Sequence, residues 1–130
     1  MGTRGIQVFT RPLRYREKFT YSKDSAYTID RVPTEKGIDV RLALDVVRFA
    51  HERLYDVALI FSQDQDLSEA VDELKRISQQ TGRPITAASA FPVGPTTRNK
   101  WGLLRSKHIR IDKSLYDACL DPTDYRAPLS

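Results

Sequence analysis

Residues 57–74 read VALIFSQDQDLSEAVDEL. An apolar run, Val57 to Phe61, stops abruptly at Ser62. Asp64 and Asp66 follow, and a helical pattern begins at once. A continuous apolar run of this length reads as a central strand covered on both faces. The strand is expected over 56–62 and the helix over 67–81, ending at Gly82, a residue suited to close a helix. Upstream, Thr34-Glu35-Lys36-Gly37 is a turn before a strong helix over 39–53. Downstream, Pro84 opens a strand over 85–90. The segment 91–102, FPVGPTTRNKWG, reads as a surface loop. A short strand over 108–111, a last helical turn or two over 113–120 and a polar tail from Asp121-Pro122 complete this half. Before the first helix, residues 6–10 read as a strand and 13–31 as a loop or loose hairpin. Alternating strands and helices at this spacing imply βαβ units with a parallel sheet. Open parallel sheets bind ligands beyond the carboxyl ends of their strands. Ser62, Asp64 and Asp66 lie at such an end.

The 130 residues suit one domain, expected over 1–126 with a tail over 127–130. No apolar run approaches the ~20 residues that span a membrane, so no membrane partner is expected. The first residues resemble no signal peptide. The single cysteine, Cys119, cannot form an internal disulfide, and a cytoplasmic location is expected. Twenty-one basic residues against 17 acidic ones leave a net charge of +4, compatible with a polyanionic partner. The two histidines, His51 and His108, have no ligand-like neighbours. There is no zinc spacing, no glycine-rich phosphate loop and no nucleophile elbow around a serine.

Two carboxylates on one short loop have an ordinary explanation. Asp66 would cap the next helix by accepting from the amide of Ser68 or Glu69, and Asp64 would brace the turn. Like charges this close are costly unless a proton or a cation intervenes, and that cost favours a metal. Hard divalent ions such as Mg²⁺ and Mn²⁺ take a few oxygen ligands and keep several waters. The glycine and terminal glutamate of an EF-hand are missing. Asp39 lies about 200° around its helix from Arg41, at ~100° per residue, on the side of Ala43, Val46 and Ala50. There it serves either as an N-cap or as a third carboxylate of the cluster. Asp45 stands between Arg41 and Arg48 on a polar stripe, where an ion-pair network is the better reading. Converging carboxylates at the end of a parallel sheet suit metal-dependent phosphodiester hydrolysis, with Ser62 as a supporting contact.

Lys36-Gly37-Ile38-Asp39 opening a helix, followed by a strand that ends in Ser62-Gln63-Asp64-Gln65-Asp66, resembles the NYN domain family of the PIN-like nuclease superfamily. The ASAFP and YDACLDPTDYR stretches resemble one bacterial branch of it. The resemblance runs from about residue 5 to about 126. It implies a three-layer α/β/α fold, PIN-like and Rossmann-like, around a mostly parallel central sheet. It implies a Mg²⁺- or Mn²⁺-dependent ribonuclease in which Asp39, Asp64 and Asp66 hold the metal and do the catalytic work. Lys36, Asp45 and Ser62 are candidates for the layer around them. Family members mostly carry Gly where this chain has Gln63. They also begin with a strand bearing an aspartate in a D-x-x-N-like pattern, which nothing here matches. The domain is therefore expected to be incomplete at its N-terminus.

Basic residues cluster with aromatics at Arg11 and Arg14 and again at Arg98, Lys100 and Trp101. Phosphate contacts combined with stacking hold single strands, so a single strand is the expected partner, and the resemblance implies that it is RNA. The alternatives are a catalytically incomplete RNA-binding or interaction module and a half-domain completed by another chain. That chain would be a second copy or a partner supplying the missing strands.

Overall fold

The computed structural model describes residues 5–21, 23, 27–124 and 126, so the tail at 127–130 lies outside the described residues. The chain divides into two compact units, residues 1–45 and 46–130.

In the first unit, β1 (Arg14–Tyr21) and β2 (Tyr27–Thr34) pair antiparallel, with Arg14 opposite Thr34 and Tyr21 opposite Tyr27. The segment read as a loop or loose hairpin is thus a fully registered hairpin. Strand alternation sorts Tyr15, Phe19, Tyr21, Tyr27 and Ile29 to one face, and Arg14, Arg16 and Lys18 to the other. The strand expected over 6–10 does not form; these residues are irregular and exposed. A single apolar run without a ladder partner leaves its backbone groups to water. Phe9 instead lies beneath the guanidinium groups of Arg41, at 4.5 Å, and Arg11, at 5.5 Å.

Helix α1 (Ile38–His51) starts in this unit and ends in the second. The Glu35 carboxylate accepts from the Ile38 amide at 2.7 Å, so Glu35, and not Asp39, caps the helix by its side chain. Gly37 has φ +85°, a conformation that glycine adopts without a steric penalty.

The second unit is built on a parallel sheet in the order β3 (Val57–Ile60), β4 (Thr86–Pro92), β5 (Lys107–Ile111). Ile60 pairs with Ser89, and Ser89 with His108. Helix α2 (Ser68–Thr81) crosses from β3 to β4, and α3 (Lys113–Ala118) follows β5. The expected α/β class with a parallel sheet is what the structure shows. One face of the sheet packs on the helices: Ala58, Leu74, Ile77 and Ala50 form the core, with Val46, Val47, Tyr55, Ile85 and Ala87 around it. On the other face Val57, Leu59 and Ile109 are exposed, Leu59 to 48%. Among the described residues of this unit, the helical core thus covers a single face. The reading of β3 as the central strand is corrected. It is an edge of the described sheet and its burial alternates, because only Ala58 and Ile60 face the helices.

The junction of α1, β3 and β4 is tied by one side chain. Arg83, 19% exposed, donates from Nη1 to the Tyr55 carbonyl at 2.8 Å and to Asp56 Oδ1 at 2.6 Å, and from Nη2 to the Ala50 carbonyl at 2.7 Å. It neutralises the carbonyl end of α1 where the helix dipole favours a cation. The helix itself closes with Arg53 in the left-handed region, φ +59°. The Leu54 amide reaches the Phe49 carbonyl at 3.0 Å and the Arg53 amide reaches Ala50 at 3.1 Å. Glycine adopts that conformation without a steric penalty. Arg53→Gly is therefore expected to stabilise the protein by about 1 kcal/mol in urea unfolding.

The Tyr55 hydroxyl donates to the Val46 carbonyl, and burial raises its pKa from 10.0 to about 12 against the opposing pull of Arg83. The unfolded chain loses this proton near pH 10 while the folded chain keeps it. Stability is therefore fully present below pH 10 and declines as pH rises from about 10 to about 12. Tyr55→Phe is expected to remove that alkaline decline and to lower stability at neutral pH by about 1 kcal/mol. Urea unfolding of both proteins at pH 8 and pH 11 measures both effects.

Candidate active site

Strand β3 ends at Ile60, and the next six residues form the turn that carries the acidic pair. The Asp64 amide donates to Ser62 Oγ at 3.1 Å. Asp64 Oδ1 accepts from the Asp66 amide at 3.0 Å and so caps the 3₁₀ turn Gln65–Leu67. The capping explanation therefore belongs to Asp64. The expected bond from Asp66 to the Ser68 or Glu69 amide is not made, and α2 has no side-chain cap. Asp66 is exposed, and its carboxylate accepts no hydrogen bond among the described residues. This carboxylate has no structural task in the turn.

Two residues with no assigned role in the sequence reading build the wall beside the acidic pair. Gln63 Nε2 donates to the carbonyls of Asn99, at 3.2 Å, and Trp101, at 2.9 Å. Gln65 Nε2 donates to the Gly102 carbonyl at 2.9 Å, and its Oε1 accepts from the Leu104 amide at 3.1 Å and Ser68 Oγ at 3.0 Å. The two glutamines alternate with Ser62, Asp64 and Asp66, and that alternation was the visible signal. Beneath them Ser89, fully buried, donates to the Ser62 carbonyl at 2.8 Å and accepts from the Leu103 amide at 3.1 Å. Gly102 fits where no side chain can. A Cβ there would lie 2.5 Å from Ser89 Oγ and 2.8 Å from the Phe91 ring. The loop read as 91–102 is thus a tightly held crossover between β4 and β5, with Leu103 fully buried. Where it enters β5, Arg105 adopts φ +63° and pairs with Asp72. That partner holds the Asp72 carboxyl below the usual carboxylate range.

The remaining candidates are placed as follows. Asp39 and Lys36 are exposed residues of the first unit. Asp45 accepts from Arg41 Nε at 2.9 Å, the ion-pair role expected of it. Arg11 and Arg14 also belong to the first unit, whereas Arg98, Lys100 and Trp101 belong to the second and are exposed. Lys100 and Arg110 line a shallow cleft of about 440 Å³ with Val93, Gly94 and Asp112. Among the described residues no three His, Cys, Asp or Glu side chains gather where they could hold a metal ion. No helix among them is long and apolar enough to cross a membrane.

An acidic turn at the carboxyl end of a parallel strand is the setting that the sequence resemblance led us to expect. The NYN domain matches residues 4–82, more than half of the chain. The chain belongs to the NYN domain family. No curated protein and no solved structure matches it. The NYN match ends at Gly82, so it takes in α1, β3, the acidic turn and α2. The NYN family is nuclease-like, and in this NYN chain the Asp64–Asp66 turn lies at the carboxyl end of a parallel strand, the end at which open α/β sheets bind ligands. The tie between that turn and the crossover gives a stability prediction. Ser89→Ala leaves the Leu103 amide and the Ser62 carbonyl without their partner. A loss of about 1–3 kcal/mol is expected in urea unfolding.

Proposed function

We propose that this chain is a metal-dependent ribonuclease acting on single-stranded RNA. Asp64 and Asp66 are its ligands for Mg²⁺ or Mn²⁺. The observation that carries this reading is the Asp66 carboxylate. It is exposed beside Asp64 on a turn at the sheet's carboxyl end and does nothing for the fold. The donor set fits a hard cation. Mg²⁺ is commonly held by one or two carboxylates and completes its shell with water and substrate phosphate. When bound, such an ion polarises the phosphodiester and supplies an acidified water. The chain's own part is to hold the two carboxylates. Asp64 Oδ1 is fixed by the Asp66 amide, and Ser62 Oγ fixes the Asp64 amide. Exposed Arg98 and Lys100 offer cations to phosphate groups of the same strand, so binding weakens as salt rises.

The test is metal-dependent cleavage of end-labelled single-stranded RNA, with EDTA as the control. Asp64→Asn keeps an acceptor for the Asp66 amide and removes the charge. It is expected to lower cleavage about 100-fold or more with little change in stability. Asp66→Asn is expected to do the same. Asp39→Asn, in the same assay, decides whether the first unit contributes a ligand. Full activity in both Asp64→Asn and Asp66→Asn would sink the proposal.

A second reading takes the two carboxylates of the acidic turn as an incomplete ligand set. In it the chain binds RNA without turnover, or awaits another chain that completes the site. The exposed apolar face of Val57, Leu59 and Ile109 supports the latter form. Salt-sensitive RNA binding with no cleavage at any metal concentration would favour this reading. Sedimentation velocity then separates its two forms.

A further inference from the structure

We infer that Trp101 is a base-stacking platform and that Gln63 and Gln65 are positioning residues that hold it beside the acidic turn. The inference rests on the reading of that turn as the RNA-cleaving edge. Its premise is an aromatic side chain in an unusual state: the indole is 68% exposed while the backbone beneath it is held firmly. The Trp101 amide donates to Asn99 Oδ1 at 3.2 Å, and its carbonyl accepts from Gln63 Nε2 at 2.9 Å. The next carbonyl, at Gly102, is held by Gln65, and the next amide, at Leu103, by the buried Ser89. The His108 ring meets the indole edge-on, with centroids 6.4 Å apart. His108 is itself braced by the Leu103 carbonyl at 3.1 Å and by an edge contact with Phe91.

An exposed indole on a floppy loop would lose much of its stacking energy to ordering the loop on binding. Here the loop is ordered beforehand, so a base meets a surface that is already in place. Every base has a π-face, so such a platform tolerates any sequence and requires an unpaired strand. Gln63 and Gln65 sit on either side of Asp64 in the chain. The residues that hold the platform are therefore interleaved with those proposed to hold the metal. Through the Gln63 bond to its carbonyl, Trp101 is tied directly to the acidic turn, so a base resting on it lies in the neighbourhood of that turn.

Trp101 is the only tryptophan, so its emission reports on the platform alone. The experiment titrates the full chain with a 12-mer of oligouridylate in EDTA, which removes cleavage, and then with the same strand annealed to oligoadenylate. Quenching by the single strand and none by the duplex is expected. Trp101→Ala is expected to weaken binding of labelled oligouridylate roughly 5- to 150-fold, the factor for losing one stacked base, while Trp101→Phe stays within a few-fold of wild type. Gln63→Leu preserves size and removes the donor. It is expected to lower the fluorescence anisotropy of Trp101 in the free protein and to weaken RNA binding, with the thermal unfolding midpoint nearly unchanged. An unquenched tryptophan, or Trp101→Ala binding like wild type, overturns the platform. Wild-type anisotropy and affinity in Gln63→Leu overturn the positioning role. Either result can coexist with metal-dependent cleavage, and quenching can occur without any cleavage. The failure of this inference and the failure of the ribonuclease reading are therefore distinguishable.

Discussion

The site side of the second unit depends on one buried hydroxyl. Ser89 lies on the middle strand and is inaccessible to solvent, with one donor and two lone pairs to place. It donates to the carbonyl of Ser62, where β3 gives way to the acidic turn. It accepts from the amide of Leu103, where the β4–β5 crossover passes over the sheet. A buried backbone group without a partner costs as much as a lost hydrogen bond, so each segment is fixed by the need of the other. The absence of a side chain at Gly102 lets the crossover approach that closely. Around this contact Gln65 and Ser68 share the Leu104 amide, and Gln63 takes the carbonyls further out. The acidic turn is consequently one side of a cross-braced pair of segments, and its shape is inherited from the sheet.

Much of this was legible before any coordinates. The helix at 38–51, the helix at 68–81 with Gly82 in the left-handed region and the strand after Pro84 follow from apolar periodicity and terminator residues. The acidic turn was placed correctly at the end of its strand. What periodicity could not reveal was which side of β3 would be covered. A run of five apolar residues looks the same whether one face or both are packed. In this unit only Ala58 and Ile60 turned toward helices. Likewise the strand expected at 6–10 has the right residues and lacks a partner. The hairpin at 14–34, whose aromatic and charged residues disguised its alternation, has a partner and forms.

The crossover is a surface loop over most of its length, and its bracing had no local sign for the same physical reason. Two prolines and two glycines in 91–102 read as a surface loop, because such residues break regular structure. They do break it here. What replaces regular structure is a set of side-chain-to-backbone bonds from residues nearly 40 positions away, such as Gln65 to Leu104. Such bonds have no local signature in the segment that receives them. Their signature lies in the donor segment, where glutamines alternate with the acids.

The same turn shows how structural and chemical demands are divided among adjacent residues of one type. A helix start needs one acceptor near its first free amides, and Asp64 supplies it with a single oxygen. Had Asp66 supplied it, both acids would have been absorbed by ordinary capping and the motif would need no further explanation. Instead Asp66 stands two residues on, exposed and bonded to nothing in the turn, while the glutamines on either side of Asp64 tie down the neighbouring loop. An arrangement that spends four polar side chains on fixing a turn and leaves one carboxylate outward is organised around something the carboxylate meets from outside. Under the proposed function, that partner is a hard cation carrying a phosphate.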